Sequence, residues 1–207
     1  MQSTAGDRRG PALVTLCIAV LLVILPCAAS RADYRILPNG TAYSASLDLT
    51  DATGYGFFEA GILGDQVPVK VVDVTLSGDC SPCTFSWTGE NTLIFPRGNY
   101  TLTFQGPVRD NHFIAVYDSP QRVTIVLPAG FDVRNPALGM VSSGAAVTDL
   151  PEGLTEISWN ATRIAEIRFY EKGREDLLYL FANIWVIIAI VMLVPFLLTW
   201  RKDDRSL

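Results

Sequence analysis

Tyr43-Ser-Ala-Ser-Leu-Asp-Leu49 is the stretch that decides the fold, because its apolar side chains fall on every second residue. A period of two places alternate side chains on opposite faces of a β-strand, whereas a helix repeats about every 3.6 residues. The same alternation returns in residues 100–104 and 123–127. The stretch therefore predicts a strand with one buried face, in a chain built mainly of strands.

Further segments rich in β-branched and aromatic residues lie at 67–76, 84–87, 92–95, 112–117, 154–159 and 164–170. Turn signals separate them, among them Pro96-Arg-Gly98 and Asp118-Ser-Pro120. Roughly ten short strands at regular spacing predict an all-β fold, namely an antiparallel sandwich of immunoglobulin-like or similar type.

The strands divide into two predicted parts, with a boundary near Gly106-Pro107. We predict one β-rich subdomain over residues 33–106 and a second over residues 107–170, with one larger sandwich as the alternative. Residues 154–159 and 164–170 are expected to form a hairpin around Asn160–Arg163 whose tip points away from the membrane. Residues 171–176 would then form a short juxtamembrane tether, which reaches about 20 Å at most when extended.

Two apolar segments bracket the strands. Residues 12–25 follow Arg8 and Arg9 and are too short to span a bilayer, which needs about 20 apolar residues. Small residues follow, so residues 1–32 are predicted to be a signal peptide cleaved after Ala32, with cleavage after Ser30 as the alternative. Residues 177–200 carry no charge and predict a transmembrane helix, followed by a cytoplasmic tail over residues 201–207. A cleaved signal places the N-terminal side outside, which predicts a single-pass protein of the cell membrane.

The predicted mature ectodomain is acidic. Residues 33–176 contain 18 Asp and Glu against 10 Lys and Arg, a formal charge of −8. An acidic surface disfavours nucleic acid, because the phosphate backbone is itself negative. The expected partners are the membrane and a protein of the envelope or bilayer.

Cys80-Ser-Pro-Cys83 is the one chemical motif that needs an argument. A redox CxxC pair places its first cysteine at a helix N-terminus, which lowers the thiol pKa. Strand-like segments flank this pair, so we predict a structural disulfide that closes a hairpin tip, with a thiol-disulfide oxidoreductase as the alternative. Zinc would need two further ligands, and we expect neither a metal nor a cofactor.

Other residues that could take part in catalysis or in metal or ligand binding are interpreted as structural. His112, the single histidine, is expected to lie in a polar turn at the start of a strand. Asp48, Asp51 and Glu59 lack the spacing of a calcium loop and are expected to be solvated. Between these acids, Gly54-Tyr-Gly-Phe-Phe58 could bind a partner or a sugar, but we expect its aromatic rings to plug the end of the sandwich.

Three sequons lie in the predicted ectodomain, at Asn39, Asn99 and Asn160. Each is followed by a non-proline residue and then by threonine, which is the acceptor pattern for N-glycosylation. Each also sits at a predicted turn or strand start, where a glycan has room. We therefore predict three possible glycosylation sites.

The segment from Val123-Thr-Ile-Val-Leu-Pro-Ala-Gly-Phe-Asp-Val-Arg-Asn-Pro136 through Leu138-Gly-Met-Val-Ser142, followed by Ile157-Ser-Trp159 and the closing helix, resembles an uncharacterised archaeal family. Its members are β-rich proteins with a signal peptide and a C-terminal membrane anchor. The resemblance implies location and topology, and it carries no activity and no site residues.

These observations favour a non-enzymatic β-domain that acts as a binding, interaction or accessory module of the cell envelope. A thiol-disulfide oxidoreductase using Cys80 and Cys83 is the alternative, and a surface hydrolase with sites that the spacing does not reveal is a third hypothesis.

Overall fold

A computed structural model of the protein describes residues 30–61 and 65–203. The strands are β1 (Arg31–Ile36), β2 (Ala42–Gly56), β3 (Phe58–Ala60), β4 (Gln66–Pro68), β5 (Val72–Gly78), β6 (Ser86–Thr88), β7 (Thr92–Pro107), β8 (His112–Leu127), β9 (Phe131–Asp132), β10 (Met140–Val141), β11 (Ala146–Asp149), β12 (Thr155–Arg168) and β13 (Tyr170–Glu171). A short 3-10 helix covers Pro151–Gly153, and the α-helix α1 covers Gly173–Asp203. The predicted all-β fold with one C-terminal helix is confirmed.

A nine-stranded sheet forms most of the β-domain. Its main order is β10-β12-β8-β1-β2-β7-β5, with β11 beside β12 and β6 beside β7. Two small two-stranded sheets, β3–β4 and β9–β13, complete the described strands. The predicted antiparallel arrangement holds for every named pair except β1–β8, which is parallel and places Tyr34 opposite Ile125.

The sandwich arises because this sheet folds over on itself. Tyr34 pairs with Ile125 in the second half of β8, and its ring packs on Phe113 in the first half of the same strand, with ring centroids 4.8 Å apart. The two halves of β8 therefore lie in opposite layers. Its neighbour β12 has 14 residues, and the more distant pair β2 and β7 has 15 and 16. Their ladders are interrupted by register shifts that bend these long strands.

The predicted hairpin around Asn160–Arg163 is wrong, because residues 155–168 form the single strand β12. Its register against β8 shifts between Trp159 and Ile164. The Thr162 hydroxyl bonds the backbone of Ile164 through both its carbonyl and its amide, which fixes a bulge there instead of a chain reversal. Likewise, the predicted turns at 96–98 and 118–120 are corners inside β7 and β8.

One hydrophobic core lies between the two layers. Its buried side chains include Phe104 and Phe113, which stand on opposite sides of the predicted boundary at residues 106 and 107. Strand β1 pairs with β2 on one side and with β8 on the other. The structure thus joins the predicted parts 33–106 and 107–170 in one sheet and one core.

The C-terminal helix can cross a membrane. Within the described residues it is the one helix of sufficient length and apolar character; the candidate span is Gly173–Pro195, and an 18-residue window in it has a mean hydropathy of 2.7. At 1.5 Å per residue the uncharged residues 177–200 of α1 span about 36 Å, more than the ~30 Å of a hydrocarbon core. The chain is therefore described as a membrane-anchored β-domain.

The helix is joined to the β-domain without an extended tether. The expectation for residues 171–176 is wrong in this respect, since Glu171 is in β13 and α1 begins at Gly173. The Lys172 amide between them donates to the Gly130 carbonyl at 3.0 Å. The Asn135 side-chain amide donates to Glu175 Oε1 at 3.1 Å, so the first helical turn is bonded to the domain.

The predicted signal peptide lies mostly outside the described residues, which begin at residue 30. Ala32, the last residue of the predicted signal, lies within β1 and is fully buried. It pairs with Leu47 and with Val123. The first two residues of β1 therefore belong to the folded sheet.

Candidate functional site

A cleft lined by aromatic side chains opens between β3 and the first half of β8. We call it the aromatic cleft. Strand β3 pairs with β4 and leaves this side of β8 without a ladder partner among the described strands. Tyr34 of β1 and Tyr43 of β2 form part of the floor, and the walls include Phe58 and Tyr117. The cleft has a volume of about 240 Å³. This is about eight times the ~30 Å³ share of one water molecule in the liquid, which is room for a ring-sized molecule.

Four tyrosine hydroxyl groups belong to the lining of this cleft. The hydroxyls of Tyr117 and Tyr34 are hydrogen-bonded at 2.9 Å. Those of Tyr43 and Tyr55 have no hydrogen-bond partner among the described residues. Burial raises the pKa of Tyr34, Tyr43 and Tyr117 well above the ordinary value, and it raises the pKa of Tyr55 to about 12. All four phenols are therefore neutral near pH 7.

The aromatic residues of segment 54–58 divide between the hydrophobic core and the aromatic cleft. Phe57 is 3% exposed and packs on Phe104 with ring centroids 4.8 Å apart, so it plugs the core as expected. Tyr55 lines the cleft, and Phe58 lines it while remaining 46% exposed. The aromatic residues of this segment therefore both close the core and build the site.

Carboxylates stand at one end of the cleft. Glu59 lines it directly, and its charge adds to the raised pKa of Tyr43. A neighbouring groove continues past Tyr55 to Asp118, whose charge acts on Tyr55 in the same way. Within the described residues, no cationic side chain forms an ion pair with Glu59 or Asp118.

The opposite end of the cleft is polar and of mixed charge. Arg109, Asp110 and Arg168 lie there together with His112, the first residue of β8. His112 Nε2 is 2.9 Å from Glu166 Oε1, and both side chains are partly exposed. The histidine thus lies at a strand start beside a polar turn, as predicted.

Cys80 and Cys83 form a disulfide with a Cα–Cα distance of 4.8 Å. The pair lies in the loop between β5 and β6, and the element that follows is a three-residue strand. Among the residues that the structure describes, no helix N-terminus therefore stands beside Cys80 to lower a thiol pKa. Neither cysteine is among the residues that line the aromatic cleft.

The acidic residues that a calcium loop might have used are dispersed. Asp51 pairs with Arg97, and Asp48 Oδ1 accepts a hydrogen bond from the Thr101 hydroxyl at 3.1 Å, so both brace the corner between β2 and β7. Glu59 lies instead at the cleft. In the part of the chain that the structure describes, no group of three or more His, Cys, Asp or Glu residues is close enough to hold a metal ion.

All three sequon asparagines are exposed. Asn39 Oδ1 accepts a bond from the Thr41 amide, and Asn99 Oδ1 accepts one from the Asp51 amide at the braced corner. Asn160 lies at the bulge of β12 rather than at a hairpin tip. Their use as glycosylation sites stays a prediction.

The sequence did not reveal the floor of the cleft. Tyr34, Tyr43 and Tyr117 occupy alternating strand positions, which indicate core residues, and their meeting requires the fold-over of β8. The one available signal was the use of tyrosine at these positions, since a purely apolar core would not need the hydroxyl groups.

Similarity to other proteins covers the C-terminal part of the chain. The model of a family of unknown function, DUF5803, matches residues 86–205. The chain belongs to this family. The DUF5803 match runs from β6 through α1 and includes the β8 wall of the cleft, while Tyr34, Tyr43, Tyr55 and Glu59 precede it. No curated protein shows significant similarity to the chain.

Proposed function

We propose that this protein is a non-enzymatic binding module of the cell envelope, held at the membrane by α1, and that its ligand occupies the aromatic cleft. The cleft itself carries the proposal. Ligand sites are typically concave, lined by aromatic side chains and supplied with a few convergent polar groups. The cleft between β3 and β8 has these properties.

The chemistry of the four tyrosines in the lining favours binding over catalysis by these groups. A general base or nucleophile needs a pKa near the working pH or a neighbouring base that activates it. The four phenols instead have raised pKa values and remain protonated. Their hydroxyls are suited to hold a ligand by hydrogen bonds, while the rings provide apolar contact.

We further propose that the β-domain faces the outside and that residues 201–207 are cytoplasmic. This orientation rests on the predicted signal peptide and on Arg201 and Lys202, which follow the apolar span as expected for a cytoplasmic flank. The accessory role would require a protein partner in the bilayer. Replacing residues 177–200 by an unrelated span should then release that partner in a pull-down. Retention of every partner by the swapped protein would contradict the accessory role.

The cleft assignment is tested with the full-length protein in detergent micelles. Thermal unfolding is measured with a set of small solutes that includes sugars, amino acids, polyamines and inorganic phosphate. A ligand of the folded state raises the melting temperature, by the equivalent of about 2.7 kcal/mol at a hundred times its Kd. We expect at least one solute to do so.

Matched variants locate the effect. Phe58 and Ile164 are 46% and 48% exposed, but of the two only Phe58 lines the cleft. Phe58→Ala should abolish the gain in melting temperature and Ile164→Ala should preserve it. Ala115→Phe, which fills the cleft from the β8 wall, should act like Phe58→Ala. A gain that survives both cleft variants, or no gain with any solute, would overturn the proposed site.

A further inference from the structure

The floor of the aromatic cleft contains hydrogen-bond donors that have no acceptor within the described part of the chain. Tyr34 is 5% exposed, and the bond between its hydroxyl and that of Tyr117 uses only one of the two phenolic hydrogens. Tyr43 and Tyr55 add two more, and none of these three hydrogens has an acceptor among the described residues. None of these hydroxyls is among the buried polar atoms without a partner, so they are open to the cleft, and water or a ligand that displaces it can supply the acceptors.

The mouth of the cleft contains acceptors and therefore needs hydrogen-bond donors from a ligand. Glu59 and Asp118 are carboxylates that can only accept hydrogen bonds, and within the described residues neither forms an ion pair. A complementary ligand must therefore donate hydrogen bonds at this end.

Three ligand classes can be compared on this basis. A carboxylate or phosphate accepts but does not donate, so it could pair with Arg109 and Arg168 at the polar end of the cleft but would be repelled by Glu59 and Asp118 at the other. An alkylammonium group donates but cannot accept from the phenols. A hydroxyl group does both, and the C–H faces of a sugar ring offer apolar surface to Tyr55 and Phe58, which line the walls.

We propose that the aromatic cleft binds a neutral polyhydroxylated ring, that is, one sugar unit of a saccharide. Its hydroxyl oxygens accept from the floor tyrosines, its hydroxyl hydrogens bind Glu59 and, where the adjoining groove begins, Asp118, and its ring packs on the aromatic walls. The volume of about 240 Å³ suits one ring. The adjoining groove past Asp118 leaves room for a second unit. This inference rests on the proposed function and names the ligand class of that site.

The test is calorimetric titration of the full-length protein in micelles with the methyl glycosides of glucose, galactose, mannose and N-acetylglucosamine. Spermidine and inorganic phosphate are titrated in parallel. We expect at least one glycoside to bind and the two charged probes not to bind at the cleft. The Tyr43→Phe/Tyr55→Phe variant should weaken glycoside binding about tenfold or more, since it removes two hydrogen bonds without changing the rings.

A matched control separates this effect from general damage to the fold. Tyr100→Phe removes a hydroxyl that bonds the Pro96 carbonyl outside the cleft, and it should leave glycoside binding unchanged. Glu59→Gln/Asp118→Asn should weaken binding, whereas Asp73→Asn/Glu152→Gln removes two exposed acids elsewhere and should not.

The outcomes distinguish the two proposals. If spermidine or phosphate binds in a Phe58-dependent manner and no glycoside does, the cleft remains a binding site but the saccharide assignment is overturned. The same holds if a glycoside binds equally well to Tyr43→Phe/Tyr55→Phe. If no probe of any class binds, both proposals fail.

Discussion

Tyrosine at a core position introduces a hydroxyl group that phenylalanine would not carry. In this domain four such hydroxyls meet at one cavity, and one bond joins two of them. The surrounding rings pack edge to face, as for Tyr43 and Phe113 at 4.9 Å between centroids. The aromatic faces thus stabilise the core, while the polar atoms are concentrated where a ligand can reach them.

Gly106 is required by Tyr43, which stands opposite it in the β2–β7 ladder. A Cβ atom at this position would lie 2.5 Å from the Tyr43 ring. Gly106→Ala should therefore displace the ring into the cleft and lower the free energy of unfolding by about 1–3 kcal/mol. Gly130→Ala is the control, because nothing lies within 4 Å of its Cβ. Equal unfolding midpoints for Gly106→Ala and the unaltered protein would contradict this packing.

Strand β1 bears on the position at which the predicted signal peptide would be cleaved. Cleavage after Ala32 would remove a fully buried residue together with its pairs to Leu47 and Val123. Cleavage after Ser30 preserves the whole strand, and Ala28 and Ser30 satisfy the small-residue rule. We expect intact-mass measurement of the mature, membrane-bound protein to show Arg31 as the first residue. A form beginning at Asp33 that unfolds at the same temperature would contradict the importance of this pairing.

At the scale of elements, the strands were predictable and their connections were not. Period-two patterns located the strand segments, because burial of one face acts on each residue locally. Polar breaks such as Pro96-Arg-Gly98 are compatible with a hairpin turn or with a bulged corner, and the choice depends on pairing with distant residues. Asn160–Arg163 contains neither glycine nor proline, which disfavours a tight turn and agrees with the observed bulge.

The cleft could not be derived from the sequence for the same reason. Tyr34 and Tyr117 are 83 residues apart, and the fold-over of β8 brings their hydroxyls within 2.9 Å. The local motif at 54–58 indicated an aromatic site, but it did not indicate which rings would be buried.

The Cys80–Cys83 disulfide is predicted to be a local brace. Closing so short a loop contributes about 2 kcal/mol or less in the chain-entropy model. Cys80→Ser/Cys83→Ser should therefore fold with a slightly lower unfolding midpoint and leave ligand binding at the cleft unchanged. In the unaltered protein, mass spectrometry after mild reduction should find the bond closed. Ready reduction, with loss of a cellular phenotype in Cys80→Ser, would instead favour the oxidoreductase hypothesis.

For the whole molecule, the buried phenols predict an alkaline limit of stability. Phenols of the unfolded chain ionise near pH 10, whereas burial raises the pKa of Tyr55 to about 12. The folded state therefore keeps protons that the unfolded state loses. The contribution of the phenols to stability should be constant below about pH 10 and should decrease as the pH rises toward 12, by up to about 1.4 kcal/mol per pH unit for each phenol.

This limit is measured by denaturant unfolding at increasing pH, with tyrosinate absorbance recorded in parallel. Tyr55→Phe should lose less stability over this range than the unaltered protein. Full ionisation of the tyrosines near pH 10 without any loss of stability would show that the phenols are not buried.

The bonds of Lys172 to Gly130 and of Glu175 to Asn135 tie the start of the anchor to the domain, so a tilt of the helix would be transmitted to the domain. The apolar part of α1 is longer than an average hydrocarbon core, so the helix leans more in a thin bilayer and stands straighter in a thick one. Because the first helical turn is bonded to the β-domain, the domain would tilt together with the helix. Bilayer thickness would then influence the direction in which the mouth between β3 and β8 points. The orientation of the cleft would thus depend on the lipid composition of the membrane.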